Sequence, residues 1–301
     1  MLEPASRAEV RAPHAGTFNT GDRVAALGVS RGAGPCRDQR YRSASSHCLR
    51  GAAAARLVAL VIMRGQHVLV SRGYGLADRA AGLSATDSTI YPVGSLSKQF
   101  TAAAIMRLVE DGRVKLDDPL ARYFPGMALA RDTTLRIEHL LRQTSGIEAW
   151  DDYPELQGIE ATRDSGQFPP SRIIQLIGAR PVLFAPGAWW SYSNANFTLL
   201  AGVIERVTGL TYDQYLQQSL LVPLHLRSTA SCSPQDPLAT DGRRAVGYHV
   251  VADSLAVRVM FAYVEPGMRG AGGLCSSAQD LARRMRALIG RTESQVANDD
   301  G

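Results

Sequence analysis

A serine and a lysine three residues apart, Ser95 and Lys98, form the first pair in this sequence that could do chemistry. Three residues along a helix is slightly less than one turn, so the two side chains would share a face. At a helix start, free backbone N–H groups and the positive end of the helix dipole favour developing negative charge. A lysine beside the hydroxyl can stabilise an alkoxide or, after losing its proton, act as a base. The spacing therefore predicts an activated serine nucleophile.

The same two residues also have a plainer interpretation. Serine is a common helix cap, and an exposed lysine one turn later is usually only solvated. Composition favours the chemical interpretation slightly, because only two of the 33 basic residues are lysines, Lys98 and Lys115. Taken alone, the pair leaves both interpretations open.

A tyrosine and an asparagine two residues apart, Tyr192 and Asn194, stand later in the chain. They follow a Pro-Gly turn at 186–187 and precede an apolar stretch over 196–207. Turn formation and aromatic packing alone would explain them. The functional interpretation is that Tyr192 relays protons and Asn194 hydrogen-bonds the substrate.

Helices are the elements that would hold these residues. Apolar residues recur every four positions after Ser95, and Gly112 stands where that helix would end. The apolar stretch over 196–207, closed by Gly209, predicts a second strong helix. Shorter helices are predicted over 137–141, 171–177, 212–221 and 278–288, and a polar, unstructured end over 290–301.

The predicted strands are fewer and shorter than the helices. Two β-rich runs, 57–63 and 67–74, flank the turn 64–66 and predict a β-hairpin with at least one buried face. A further strand is predicted over 256–263. The glycine-rich run 270–277 is interpreted as a tight turn that starts the last helix.

Length, composition and charge limit the rest of the interpretation. The 301 residues suffice for one large domain or two modest ones, and 45% hydrophobic content is ordinary for a globular protein. Residues 1–56 hold nine arginines and four acidic residues, so this segment carries the whole net charge of +5. It lacks apolar periodicity, which predicts a disordered basic extension; an organelle-targeting peptide is the alternative. Because the remaining chain is neutral, we expect no nucleic-acid partner.

The four cysteines, Cys36, Cys48, Cys232 and Cys275, form no C-x-x-C pair and no metal-ligand spacing with histidine. We therefore expect neither a structural zinc nor a disulfide framework. No apolar run approaches the ~20 residues of a membrane-spanning helix, and no secretory signal follows Met1. These patterns leave the location open, with the cytoplasm favoured, and they give no indication of the oligomeric state.

Taken together, these stretches resemble the serine β-lactamase-related family, which includes class C β-lactamases, D-Ala-D-Ala carboxypeptidases and esterases. Ser95–Lys98 is similar to the S-x-x-K motif of that family, and Tyr192–Asn194 is similar to its Y-x-N motif. The resemblance covers about residues 57–290, and its supporting matches are 116–119, 140–146, 184–194 and 272–283.

The resemblance implies an α+β fold, in which an antiparallel sheet is flanked by helices and a mostly helical domain is inserted. The site would lie between the two regions. By this resemblance, residues 57–301 form an incomplete β-lactamase-related domain, with a sheet-side region at 57–98 and 265–301 and a mostly helical region at 99–264.

The resemblance also implies roles. Ser95 would be acylated, Lys98 and Tyr192 would move the proton, and Asn194 would hold the substrate amide or Lys98. The backbone N–H of Ser95 would supply half of the oxyanion hole. Whether lysine or tyrosine is the base stays open, because the two titrate as a pair. The expected substrate is a β-lactam, a D-amino-acid peptide or a small ester, with no cofactor and no metal.

The chain departs from the family pattern in three places. No K-T-G or H-x-G triplet follows Asn194, although relatives carry one on a later strand, so we expect a chain truncated before its last sheet strands. The alternative function is therefore a non-catalytic member or fragment that keeps the fold without efficient turnover. Gln143 stands where relatives often have histidine, and His225 stands where Pro-Leu-Gly is usual.

Overall fold

The fold is described from a computed structural model of the chain. The structure describes residues 58–129, 134–150, 153–156, 170–232, 241–251, 255–259 and 268–299. The predicted disordered extension, residues 1–56, lies outside the described residues, as does the end of the strand predicted over 256–263. The predicted division of the chain into an extension, a sheet-side region and a helical region stays a prediction.

Six α-helices are formed by the described residues: α1 Ser97–Glu110, α2 Ile137–Leu141, α3 Pro170–Gly178, α4 Asn194–Thr208, α5 Tyr212–Leu216 and α6 Ala278–Asp299. Each predicted helix is present, and α5 continues as a π-helical turn, Gln217–Leu221. The residues at two helix ends explain why the helices end or begin there. Gly209 closes α4 in the left-handed conformation, with φ 75°. The Thr211 side chain accepts from the Gln214 N–H at the start of α5.

Nine strands appear in the described residues: β1 Val58–Arg64, β2 His67–Tyr74, β3 Leu76–Asp78, β4 Leu83–Ser84, β5 Ile90–Pro92, β6 Ala230–Ser231, β7 Gly247–Val251, β8 Leu255–Val259 and β9 Leu274–Ser277. The paired strands run antiparallel, as the resemblance implied. They form separate small sheets, in the orders β1-β2, β3-β4, β5-β9-β6 and β7-β8.

The predicted hairpin is confirmed, but its predicted burial is wrong. β1 and β2 pair from Val58 with Tyr74 to Arg64 with His67. Neither strand contains a buried residue, and Leu69 is 55% exposed. The apolar runs predicted burial from side-chain type alone, whereas burial requires a covering layer. α6 packs against β1, and the Gln66 side chain donates to the Arg286 carbonyl.

The glycine-rich run was predicted to be only a turn, and for its second half this is wrong. Leu274–Ser277 forms β9, the fully buried central strand of the three-stranded sheet. Its ladder partners, β5 and β6, come from distant parts of the chain, which local sequence does not reveal.

The last helix is longer than predicted. α6 continues through Gly290 to Asp299, so the unstructured end predicted over 290–301 is wrong up to that residue. One glycine costs a helix only about 1 kcal/mol relative to alanine, so it does not by itself end one.

A disulfide joins Cys232 and Cys275, contrary to the expectation of no disulfides. Cys275 in β9 pairs with Ala230 in β6, and Cys232 follows β6 directly. The Cys232 N–H also donates to the Gly273 carbonyl, which extends the contact between the two strands. The two cysteines are 43 residues apart in sequence, so only the strand pairing brings them together.

The main apolar core lies among the helices. It is formed by side chains from α1 to α5 and their connections, with Ala271 and Leu274 added from the segment around β9. Residues of α1 and α4 that are fully buried in it include Ala104, Ile105, Leu108, Leu199 and Leu200. This core fixes α1 against α4, the two helices whose N-terminal ends approach each other at the candidate site.

Candidate active site

Ser95 lies in a 3₁₀ turn, Gly94–Leu96, directly before α1, instead of in the first α-helical turn as predicted. Two contacts fix this turn. The buried Ser97 hydroxyl donates to the Gly94 carbonyl at 2.7 Å and accepts from the Leu274 N–H at 3.0 Å. The serine turn is therefore tied to β9, while the Ser95 side chain itself is exposed.

Lys98 is only 8% exposed and points at three oxygen atoms. Its Nζ lies 3.2 Å from Ser95 Oγ, 2.8 Å from Asn194 Oδ1 and 2.6 Å from the Ala271 carbonyl oxygen. An ammonium group has three N–H donors, and here each has an acceptor. The three oxygens hold the Lys98 nitrogen in one position beside the serine hydroxyl.

Tyr192 approaches Ser95 from the other side. Its hydroxyl lies 2.6 Å from Ser95 Oγ, and either oxygen can be the donor. The Lys98 Nζ lies 4.8 Å from the centre of the Tyr192 ring and 5.7 Å from that of Phe197, within the range of cation–π attraction. The Lys98 Nζ thus lies beside Ser95 Oγ and against the ring of Tyr192.

Asn194 is the first residue of α4, which places its side chain at the N-terminal end of that helix. Its Oδ1 accepts from Lys98, which is the second of the two partners considered for Asn194 from the sequence. The structure brings Ser95, Lys98, Tyr192 and Asn194 together from two segments about a hundred residues apart. Their catalytic roles stay predictions.

Comparison with known proteins identifies the family to which the chain belongs. A family model described as Beta-lactamase matches residues 46–300, most of the chain. The chain belongs to the Beta-lactamase family. The family predicted from the two motifs is thereby confirmed.

This Beta-lactamase family member is similar to an esterase and to two solved structures. It is 31% identical over 265 residues to esterase EstB of Burkholderia gladioli, covering 77% of this chain and 66% of the relative. It is also similar to the octameric penicillin-binding protein homologue from Pyrococcus abyssi, with a TM-score of 0.67 and 29% identity, covering 77% of this chain and 52% of that one. A D-stereospecific amidohydrolase from Streptomyces sp. gives a TM-score of 0.57 and 30% identity, covering 67% and 61%.

These likenesses show the β-lactamase/transpeptidase-like fold. The chain spans between about half and two thirds of the length of these relatives. Its family includes proteins described as esterases and amidohydrolases.

Sequence reasoning missed one contributor to the site of this family member, the Ala271 carbonyl. The carbonyl holds Lys98, and it is presented by a turn in which Gly270 has φ 82°. A Cβ at Gly270 would overlap the Phe197 carbonyl oxygen, so glycine permits both the conformation and the close approach to α4. The glycine-rich run 270–273 was the available signal, but it did not reveal which carbonyl would be used.

A buried pair of hydroxyls supports the same turn. Thr101 donates to the Gly270 carbonyl at 2.7 Å, so its oxygen accepts from the Tyr212 hydroxyl at 2.6 Å. Burial raises the pKa of Tyr212, which keeps the hydroxyl protonated as a donor. The chain Tyr212–Thr101–Gly270 therefore connects α5 and α1 to the residue that precedes Ala271.

The site is open, not enclosed. A cleft of about 720 Å³ lies elsewhere, between α3 and the C-terminal half of α4, and is lined by Phe124, Met127, Ile174 and Arg206 among others. It includes none of the four site residues. Since Ser95 is exposed and Tyr192 is 45% exposed, a substrate can reach the serine from the surface.

No helix among the described residues is both long and apolar enough to span a membrane. No group of three or more histidine, cysteine or acidic side chains among them is placed to hold a metal ion.

Proposed function

We propose that this protein is a serine acyl-hydrolase that acts through an acyl-enzyme on Ser95. One observation carries the proposal: Ser95 Oγ lies within hydrogen-bonding distance of both the Tyr192 hydroxyl and the Lys98 ammonium. Family membership and the likeness to an esterase and an amidohydrolase support it. The proposed substrates are small esters, D-amino-acid peptides or β-lactams.

In the proposed reaction, the reactive form of the pair Tyr192 and Lys98 holds one proton fewer than a hydroxyl plus an ammonium. Ser95 Oγ forms a bond to the substrate carbonyl carbon as its proton fills that place in the pair. The Ser95 N–H supplies one donor to the oxyanion that develops. The leaving group departs with the proton returned by the pair. Water then attacks the acyl-enzyme by the same steps in reverse, which frees the acid and restores Ser95.

Asn194 and the Ala271 carbonyl have a positioning role in this proposal. By accepting from Lys98 they keep its charge beside the reacting oxygens. A fixed positive charge beside a forming alkoxide lowers the barrier because it needs no reorganisation during the reaction. Whether Tyr192 or Lys98 carries the proton at each stage is a property of the coupled pair.

The test uses the 301-residue chain with a fluorophosphonate probe and a short-chain p-nitrophenyl ester. We expect stoichiometric labelling at Ser95, found by peptide mass spectrometry, and no labelling of Ser95→Ala. Tyr192→Phe should slow labelling by about 10²-fold or more, because it removes the proton-transfer hydroxyl. Tyr123→Phe removes a tyrosine hydroxyl that bonds Asp118 and none of the four site residues, and it should label within about twofold of the natural chain.

Three results would overturn the proposal: labelling that persists in Ser95→Ala, labelling that maps to another residue, or no labelling of a folded chain. If Tyr192→Phe and Tyr123→Phe slow labelling equally, Tyr192 does not have the proton-transfer role proposed for it.

A second candidate function is a family member that acylates without efficient turnover. For the 301-residue chain, the observation that favours it is that residues 195–301 contain no K-T-G or H-x-G triplet. Ester hydrolysis separates the two functions. A burst of product equal to the enzyme concentration, followed by no steady state, supports this candidate, and sustained turnover supports the first.

A further inference from the structure

Gln143 contacts the chain on both sides of Tyr192. Its backbone carbonyl accepts from the Ser191 N–H at 3.0 Å. Its side-chain Oε1 accepts from the Ser193 N–H, also at 3.0 Å. One residue therefore holds both neighbours of the tyrosine whose hydroxyl lies beside Ser95.

The Gln143 side chain is also fixed from α4. Asn196 donates from Nδ2 to Gln143 Oε1 at 2.6 Å, and the Ser145 hydroxyl donates to Asn196 Oδ1 at 2.6 Å. All three side chains are buried. The amide orientation of Gln143 is thus set by a buried network that runs from the end of α2 to the first turn of α4.

The backbone of Gln143 is in an unfavourable conformation. Its φ is 61°, in the left-handed region, which costs a residue with a side chain about 1–2 kcal/mol. Its buried Nε2 atom has no hydrogen-bond partner among the described residues. Strained backbone and incompletely paired polar atoms persist where the surrounding structure holds a geometry that function uses.

Tyr192 depends on this support because its side chain is 45% exposed. The hydroxyl is held at its tip by Ser95, and the ring faces the Lys98 charge. The placement of the ring therefore follows the backbone from 191 to 193, which Gln143 fixes. A displacement of about 1 Å in a reacting group can cost on the order of 10²-fold in rate.

We propose that Gln143 is a positioning residue for Tyr192, which sets the Tyr192 hydroxyl beside Ser95 through bonds to Ser191 and Ser193. The proposal rests on the proposed function of Tyr192. It predicts that the side-chain acceptor at position 143 controls the rate of acylation and not the binding of the acylating compound.

The test compares Gln143→Met with Gln143→His in the 301-residue chain. Methionine has nearly the same length but no strong acceptor, so the Ser193 N–H and Asn196 Nδ2 lose their partner. A neutral imidazole has one nitrogen that can accept, so histidine can restore a bond to Ser193. The control is Tyr123→Phe, which removes a buried hydrogen bond in the same helical core without contacting the site.

Acylation is measured with the fluorophosphonate probe at several concentrations, which separates the maximal rate, kinact, from the half-saturating concentration, KI. For Gln143→Met we expect kinact to fall about 10-fold or more, with KI changed less than about twofold. Gln143→His should recover most of the loss, and Tyr123→Phe should keep kinact per folded molecule. An unchanged kinact in folded Gln143→Met, or a loss equal to that of Tyr123→Phe, would overturn the proposal.

Amide hydrogen exchange gives a readout that does not need activity. In Gln143→Met, peptides that contain 191–193 should exchange faster, while peptides from α1 should not, because only the former lose an acceptor. Unchanged exchange at 191–193 would also overturn the proposal. If the natural chain is not labelled at Ser95, the proposed function fails, and the exchange result still decides whether Gln143 holds the Tyr192 segment.

Discussion

Similar apolar sequences are buried in the helical core of this protein but remain exposed in its first four strands. Side chains from α1 to α5 form one buried cluster, in which Leu108 is fully buried. Of the residues in β1–β4, all of them described, only Ala77 is buried, and their large apolar side chains stay partly or largely exposed. Local apolar patterning therefore determined where strands and helices form, but not which of them form the core.

This difference matters for the site because two of its four residues lie on helices that form the core and a third directly precedes one. Lys98 lies on α1 and Asn194 on α4, and Ser95 directly precedes α1. Side chains on well-packed helices hold their positions more accurately than side chains on loops. We therefore expect changes in the helical core to disturb the site and matched changes in the hairpin to leave it intact.

The largest expected effect comes from the same substitution made in both regions. Leu108→Ala should lower the free energy of unfolding by about 3–5 kcal/mol, because it empties a fully buried position. Leu69→Ala, at a position 55% exposed, should lower it by less than about 1 kcal/mol. Urea denaturation monitored by circular dichroism measures both values. Equal losses would show that the hairpin is as well packed as the helices and would contradict the difference between the two regions.

A smaller effect, which depends on pH, is expected at Asp118 between α1 and α2. Burial alone would raise the pKa of this carboxyl, but bonds from the Tyr123 hydroxyl, the Lys115 N–H and Arg122 outweigh it and lower the pKa. A lowered pKa in the folded state stabilises the fold at pH values above the unfolded pKa, and this contribution is lost as pH falls through the folded pKa. The helical core should therefore weaken in acid.

Asp118→Asn should lower the free energy of unfolding at pH 7 by about 1–3 kcal/mol, because it weakens a buried network. The difference from the natural chain should shrink below about pH 4. The control is the neighbouring, exposed Asp117→Asn, which should change stability little at either pH. Denaturation midpoints at pH 7 and pH 3 measure these differences. If Asp118→Asn differs from the natural chain by the same amount at both pH values, the lowered pKa of Asp118 does not contribute to stability.

The smallest expected effect is a gain, at the connection between the helices and β6. His225 is exposed and has φ 55°, which explains why glycine is usual at this position in the family it resembles. His225→Gly should raise the free energy of unfolding by about 1 kcal/mol, while His225→Ala, which keeps a Cβ, should not. Thermal unfolding of the natural chain and of both variants measures the change in stability. A loss of stability in the glycine variant would show that the histidine side chain makes a contact worth more than the strain.

Much of the site was predictable because its parts are local. The spacing in Ser95–Lys98 and Tyr192–Asn194, and the helices that carry them, can each be read within a few residues. The remainder depends on distant pairing. The Ala271 carbonyl, the buried strand β9 and the support from Gln143 involve partners far along the chain, and no local pattern encodes such partners. Gln143 was noticed only as a departure from the expected residue type.

The disulfide has a practical consequence for chemistry at Lys98. It joins Cys232 to Cys275 in β9, which begins shortly after Ala271, whose carbonyl holds the lysine. Disulfides persist in oxidising surroundings and are opened by thiols. Both cysteines are buried. A preparation in which a thiol has opened the bond and one in which the bond stays closed are therefore two covalent forms of one sequence. An acylation rate measured on this chain belongs to one of those two forms.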